Sequence, residues 1–310
     1  MTATIIQAIL PLWGYLIAGY LLRRAIPRSQ VFWRWLNQIS YLVLLPLTIF
    51  ALLVGAGTLA ALSLKLGLVL FAAHLILFTA LTLFYWGISA LRQNTDAYSS
   101  MVQTATRLNV PAGVLLTTTL VGVSADAAVG TIIIATVPLI NFANVLMVVI
   151  CHRPPHSSIL TIARMTAFNP LVIACTAGLG CLLFRVDFPA APAELLTIIA
   201  QIGPPAMLVG IGASLDGLRM QGQMRFVVAA NLAKLFALPM LVLALGWMVG
   251  LGPLHLLVAV IFAALPTAPN GLVLALQFGG DIRTYSAALL WQTVAAIATL
   301  PFWIWLATAA

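Results

Sequence analysis

An apolar run from about position 254 to 278 is interrupted by Ala264-Leu265-Pro266-Thr267-Ala268-Pro269-Asn270-Gly271. Proline lacks the N–H that an α-helix needs, and its ring clashes with the preceding turn, so no helix runs through this stretch unbroken. In hydrocarbon, freed backbone groups persist only where protein or a watery cavity surrounds them. A break here therefore predicts an enclosed site built from Pro266, Pro269 and Gly271, with Thr267 and Asn270 as its polar side chains.

The run is one of many. The chain is 63% hydrophobic and 6% charged, with a mean hydropathy of +1.13, values that exclude a soluble domain. Ten apolar stretches approach bilayer length, about 20 residues each. Their limits read 4–22, 35–56, 66–90, 97–122, 127–151, 166–184, 194–215, 226–251, 254–278 and 285–307. No basic region precedes the first, which reads as an uncleaved span. Cys151, Cys175 and Cys181 fall in or beside apolar stretches without ligand-like spacing, so neither a disulfide framework nor a metal is expected. The net charge of +8 forms no stripe of the kind that binds nucleic acid.

Those basic residues set topology instead. Arg23, Arg24, Arg28, Arg34, Arg92, Arg153, Arg164, Arg219, Arg225 and Arg283 fall on one side of a ten-span fold, against Lys65 and Arg185 on the other. By the positive-inside rule both termini are expected on the extracytoplasmic side of the cell membrane. Only Arg107 and Lys234 remain, both inside spans.

The halves of the chain resemble each other. Pro11 and Pro46 match Pro170 and Pro205 at an offset of 159, and Lys65 and His74 match Arg225 and Lys234 at 160. Asn109-Val110-Pro111-Ala112-Gly113 matches Thr267-Ala268-Pro269-Asn270-Gly271 at 158. Five spans per half, an odd number, put the second half in the membrane upside down, as in inverted-repeat transporters. The expected organisation is a first repeat over 1–151, a cytoplasmic connector over 152–165 and a second repeat over 166–310.

On these motifs the chain resembles the auxin efflux carrier family, which includes plant auxin exporters and bacterial permeases of the malonate-transporter kind. The break at 264–271 carries most of the likeness, with Leu274-Ala275 and Gly279-Gly280-Asp281 after it. Asn169-Pro170-Leu171, Ile211-Gly212-Ala213-Ser214-Leu215, Lys234 before Pro239, Thr293 with Leu300-Pro301, and Leu44-Leu45-Pro46 extend it. The resemblance implies an all-α membrane protein of two inverted five-helix repeats, with spans 4 and 9 crossing as broken helices. This architecture is like that of bile-acid carriers and sodium–proton antiporters. The likeness also implies a scaffold of spans 1, 2, 6 and 7, a transport domain of spans 3–5 and 8–10, a homodimer through spans 2 and 7, and carriage of small organic anions. One departure stands in span 4, where Leu116 and Thr117 occupy the place of an expected proline.

The residues support an anion site on their own terms. A helix restarting after a break presents free N–H groups and the positive end of its dipole. Asn109, Asn270 and Thr267 are suited to hydrogen-bond a carboxylate there, and Arg107 to grip it with two parallel bonds. Asn141 in span 5 and Gln292 in span 10 are expected to line the pocket, with Pro111, Gly113, Pro266, Pro269 and Gly271 forming the crossover. Lys234 and His74, equivalent in the repeat, are expected to line a cavity or act in gating. All six carboxylates lie in loops or at span ends, so the usual mid-membrane proton or sodium site is missing. No cofactor is expected, although sodium held by unwound carbonyls stays open. The expected activity is transport of small carboxylates, auxin-like or malonate-like, by alternating access at the crossing of spans 4 and 9, outward in direction; a sodium- or proton-coupled symporter of bile-acid-carrier type is the alternative. An embedded receptor or enzyme lacks a nucleophile–base set or metal motif.

Overall fold

The computed structural model of the chain describes residues 2–26, 30–55, 63–152, 164, 167–215, 222–269, 271–272, 275 and 280–309. Asn270 and most of the 152–165 connector lie outside the described residues. All regular structure among those described is helical, which satisfies the backbone within each segment where no water can bond it.

Helix α1 (Thr2–Ala25) is followed by α2 (Gln30–Ile39), a π turn (Ser40–Leu44) and α3 (Leu45–Gly55). Then come α4 (Leu64–Gly87), the single turn α5 (Ser89–Arg92), α6 (Thr95–Thr106), α7 (Val110–Val121) and α8 (Asp126–His152). The second part holds α9 (Pro170–Leu183), α10 (Ala190–Leu215), α11 (Met224–Leu232), a π turn (Ala233–Ala237), α12 (Leu238–Met248), α13 (Pro253–Ala264) and α14 (Ile282–Ala309). Among the described residues, five helical stretches are long and apolar enough to cross a membrane: Leu64–Gly87, Asp126–His152, Ala190–Ala213, Met224–Met248 and Ile282–Ala309. Leu42–Gly55, Pro170–Leu183 and Pro253–Ala264 are shorter apolar helices.

Both π turns precede a proline. Pro46 and Pro239 each follow a widened turn by two residues, which relieves the clash of the ring with the preceding turn. At Pro239 the missing N–H leaves the Leu235 carbonyl without its helical donor. Trp303 Nε1 on α14 supplies one instead, at 2.7 Å.

Helices α1, α3, α9 and α10 pack on one another, and α4, α6, α8, α11, α12, α13 and α14 form the contacts around the breaks. Where α1 crosses α10, Gly19 abuts the Val209 carbonyl and Gly212 the Leu16 carbonyl, leaving no room for a Cβ on either. Small residues permit this close backbone approach in membranes.

The interrupted segments are the most enclosed. Every residue from Val258 to Leu265 is fully buried, and α6 is buried from Ala97 to its end at Thr106, although that stretch carries Ser99, Ser100, Gln103, Thr104 and Thr106. A helix buried all round is apolar in most proteins. Buried polarity of this kind points inward to a functional interior.

Candidate functional site

The break between α6 and α7 spans Arg107 to Asn109. Arg107 caps α6 in extended conformation (φ −68°, ψ 140°). Asn109 then starts α7: its Oδ1 accepts from the Ala112 N–H at 3.3 Å and its carbonyl from the Gly113 N–H at 2.9 Å. Pro111 sits in the first turn of α7, where its missing N–H costs nothing. The break thus ends two residues before Pro111, and α7 runs on through Leu116 and Thr117 without a second proline.

The break after α13 begins the same way. Leu265 caps α13 with φ −65° and ψ 146°, nearly the geometry of Arg107. Both α6 and α13 have 12 residues, and their ends lie 158 positions apart, the offset read from the sequence motifs. Pro266, Thr267, Ala268 and Pro269 follow, and the chain turns helical again at Gly271 and Leu272. Gly113 meets the other break-bearing helix directly, since a Cβ there would come 2.5 Å from the Phe262 ring on α13. Gly271 is pressed against the Tyr285 hydroxyl, and a Cβ on it would lie 2.7 Å from Arg107 Nε.

Side chains on α14 satisfy both breaks. Gln292 Oε1 accepts from the Thr267 N–H at 2.9 Å, while its Nε2 donates to the Thr104 carbonyl at 3.2 Å. Tyr285 donates its hydroxyl hydrogen to the Ala268 carbonyl at 2.7 Å. On α8, Asn144 bonds Thr106 at 3.1 Å and its own Ile140 carbonyl at 2.8 Å, bracing the end of α6.

A small recess of about 30 Å³ lies beside these breaks, lined by Leu45, Arg107, Leu108, Val110, Pro111, Val137, Ile140, Asn141, Leu171 and Ala268. Its polar side chains are Arg107 and Asn141. Arg107 is 6% exposed, and its Nε has no hydrogen-bond partner. Of the expected site residues, Arg107, Pro111 and Asn141 therefore line the recess. Asn109, Thr267 and Gln292 stand behind it, the first and last occupied with backbone groups; the buried Thr267 hydroxyl is unpartnered. Asn270 falls outside the described residues.

Lys234 and His74 lie apart from the recess. Lys234 is fully buried in the second π turn, and its Nζ has no partner. The His74 ring bonds the Leu70 carbonyl through Nδ1 at 2.8 Å, leaving Nε2 without a partner. His74 lines a separate small apolar cavity of about 20 Å³ with Leu75, Phe78, Thr106, Leu139, Ile140 and Ala143. No group of three or more His, Cys, Asp or Glu side chains gathers among the described residues.

The Mem_trans family, described as membrane transport protein, matches residues 4–304. The chain belongs to this family. Membership bears out the resemblance to auxin efflux carriers and makes the chain an integral membrane protein of a transporter family. Among relatives, a Rhizobium meliloti (strain 1021) protein named "Putative malonate transporter" is 31% identical over 144 residues, covering 46% of this chain and 44% of that protein. The Escherichia coli (strain K12) "Uncharacterized transporter YfdV" is 27% identical over 139 residues, 45% of this chain and 44% of that one. The match spans less than half the length of these curated relatives.

Sequence reasoning missed Tyr285, Gln103, Trp303 and the apolar lining from Leu45 and Leu171. Gln103 carried a legible signal, since an amide inside an apolar span is costly. Tyr285 and Trp303 look like ordinary aromatic residues of a span, and their bonds to distant carbonyls exist only in the folded chain.

Proposed function

We propose that this protein is a secondary transporter of small organic anions that works by alternating access at the meeting of its two broken helices. One observation carries the reading: Arg107, buried and with an unpaired Nε, lines the recess between the breaks beside Asn141. A guanidinium in an apolar setting needs an anion, and a carboxylate fits its planar fork. The start of α7 adds the positive end of a helix dipole. Asn141 orients the substrate, with Asn270 and the Thr267 hydroxyl contributing from the second break. Asn109 and Gln292 hold the breaks in shape.

The matched 12-residue lengths and cap geometries of α6 and α13 support ten spans in two inverted repeats with spans 4 and 9 crossing. The glycine-tight packing of α1 on α10 supports a rigid scaffold of spans 1, 2, 6 and 7, against which spans 3–5 and 8–10 move. Leu45 and Leu171, on the scaffold side of the recess, support a substrate held between the two parts. The arginine distribution supports both termini outside a cell membrane. An inside-negative potential then drives a monovalent anion outward by about 2.3 kcal/mol per 100 mV, so efflux is the working direction. Malonate, which appears in a relative's name, is the first substrate to test.

Coupling to protons is the second reading, favoured by the buried, unpartnered His74 Nε2 and Lys234 Nζ. Purified protein in liposomes separates the two. Saturable flux of a labelled organic acid driven by membrane potential alone supports the uniporter, and flux that requires an imposed proton or sodium gradient supports the coupled carrier. Protein-free rates for every acid contradict both.

A further inference from the structure

Helix α6 carries polar side chains on two faces, and the faces differ in how they are used. Ser99 and Thr106, seven residues apart, turn toward α8. Ser99 Oγ lies 3.0 Å from His152 Nε2, and Thr106 bonds Asn144. Thr104 gives its hydroxyl to the carbonyls of Ser100 and Met101 at 3.0 Å each. These hydroxyls are all satisfied.

The other face is not. Ser100, Gln103 and Arg107 follow the i, i+3, i+7 spacing that aligns side chains along one face of a helix. Ser100 Oγ, both polar atoms of the Gln103 amide and Arg107 Nε are buried without a hydrogen-bond partner. Ser100 and Gln103 are 0% exposed. Buried polar groups are normally bonded, and each exception calls for a reason. Here the exceptions stack in register with the residue that faces the recess. Glycines meet this face at both ends: a Cβ on Gly271 would lie 2.7 Å from Arg107 Nε, and one on Gly280 would lie 3.0 Å from Ser100 Oγ. Backbone comes close there, and neither glycine brings a side chain that could satisfy the row.

We propose that Gln103 and Ser100 form a second, uncharged half of the substrate site, which takes the second polar group of a bifunctional organic anion. The inference rests on the anion site proposed at Arg107. Four residues of helix separate Arg107 from Gln103, a rise of about 6 Å. A short acid with its carboxylate on the guanidinium thus brings a hydroxyl, oxo or amide group three or four carbons away to Gln103. The Gln103 amide donates and accepts, so it serves any of these groups. It carries no charge, so it favours a neutral second group over a second carboxylate, whose burial needs a countercharge.

The test compares butyrate with 4-hydroxybutyrate, which differ by one terminal hydroxyl, in thermal-shift titrations and liposome competition. Wild-type protein is expected to bind 4-hydroxybutyrate at least tenfold more tightly than butyrate. Gln103→Leu brings the ratio to within about twofold of one while leaving butyrate binding in place, which also shows that the variant folds. Leucine removes an orphaned amide, so the variant melts no lower than wild type. Ser100→Ala narrows the ratio by a smaller factor and serves as the second variant. An equal ratio in wild type, or an unchanged ratio in Gln103→Leu, overturns the second half-site while the anion site stands. If butyrate, 4-hydroxybutyrate and malonate all fail to bind wild type, the anion site fails and takes this inference with it.

Discussion

Gln292 holds Thr267 by its main chain: the side-chain Oε1 accepts the Thr267 N–H at 2.9 Å. The other end of the same amide donates to the Thr104 carbonyl, at 3.2 Å. One buried side chain on α14 therefore ties the last turn of α6 to the break after α13. Gln292→Leu strands a donor on one break and an acceptor on the other. Each orphaned group costs about 1–3 kcal/mol, so the melting temperature falls clearly. Gln292→Glu keeps the acceptor for Thr267 but buries a carboxylate against the Thr104 carbonyl, so it too melts below wild type. Thermal unfolding in detergent measures the series; equal melting temperatures for all three contradict the brace.

Trp303 replaces the donor that Pro239 lacks, through its 2.7 Å bond to the Leu235 carbonyl. Trp303→Phe costs about 1–3 kcal/mol from the orphaned carbonyl alone, with lost packing in addition. In a Pro239→Ala background the backbone N–H returns and can bond Leu235 itself. The cost of Trp303→Phe then shrinks, giving a coupling of about 0.5–3 kcal/mol in a double-mutant cycle. A cycle that closes at zero shows that the indole bond is not a substitute for the helical one.

Gly271 touches the Tyr285 hydroxyl and nearly touches Arg107 Nε. Gly271→Ala drives a methyl group into both and displaces the guanidinium from the recess. Affinity for an organic anion is expected to fall about tenfold, or 1.4 kcal/mol, measured by thermal-shift titration. Tyr285→Phe in the same chain makes room and recovers part of the loss. Unchanged affinity in Gly271→Ala separates Arg107 from the site.

Much of this was legible in the sequence because the breaks are covalent facts. The interruption after 264 followed from Pro266, Pro269 and Gly271 falling together, and the repeat pointed to a second one near Pro111; a lone proline decides nothing, since Pro11, Pro138 and Pro301 all lie inside helices. Arg107 stood out because charge is costly inside a span. The roles of Asn109 and Gln292 were less legible. An amide near a break reads equally as ligand or as backbone partner, and only distances separate the two. The Asn109 cap at Ala112 and the Gln292 bridge are visible only once the helices are packed. The π turns before Pro46 and Pro239 were hidden for a related reason, since a proline within a span is compatible with a kink, a break or a widened turn.

Lys234 is buried in the second π turn with its ammonium nitrogen unpartnered. An unpaired buried charge is unfavourable, so this packing is poised against one in which Lys234 reaches water or a counter-anion. Lys234→Met keeps the length of the side chain and removes that charge. The variant is expected to melt higher than wild type and to transport at least tenfold more slowly, while its anion affinity changes little. Flux and binding measured on the same preparation check this; slow flux with lost binding would move Lys234 into the substrate site.

Binding of an organic anion to wild type and to Arg107→Gln, by thermal-shift titration over a panel of short carboxylates including malonate, tests the central claim most directly. A ligand at 100 times its dissociation constant stabilises the folded protein by about 2.7 kcal/mol. At least one carboxylate is therefore expected to raise the wild-type melting temperature saturably, with that shift abolished in an Arg107→Gln protein that still unfolds cooperatively. The same saturable shift in both proteins would contradict the assignment of Arg107 as the residue that holds the anion.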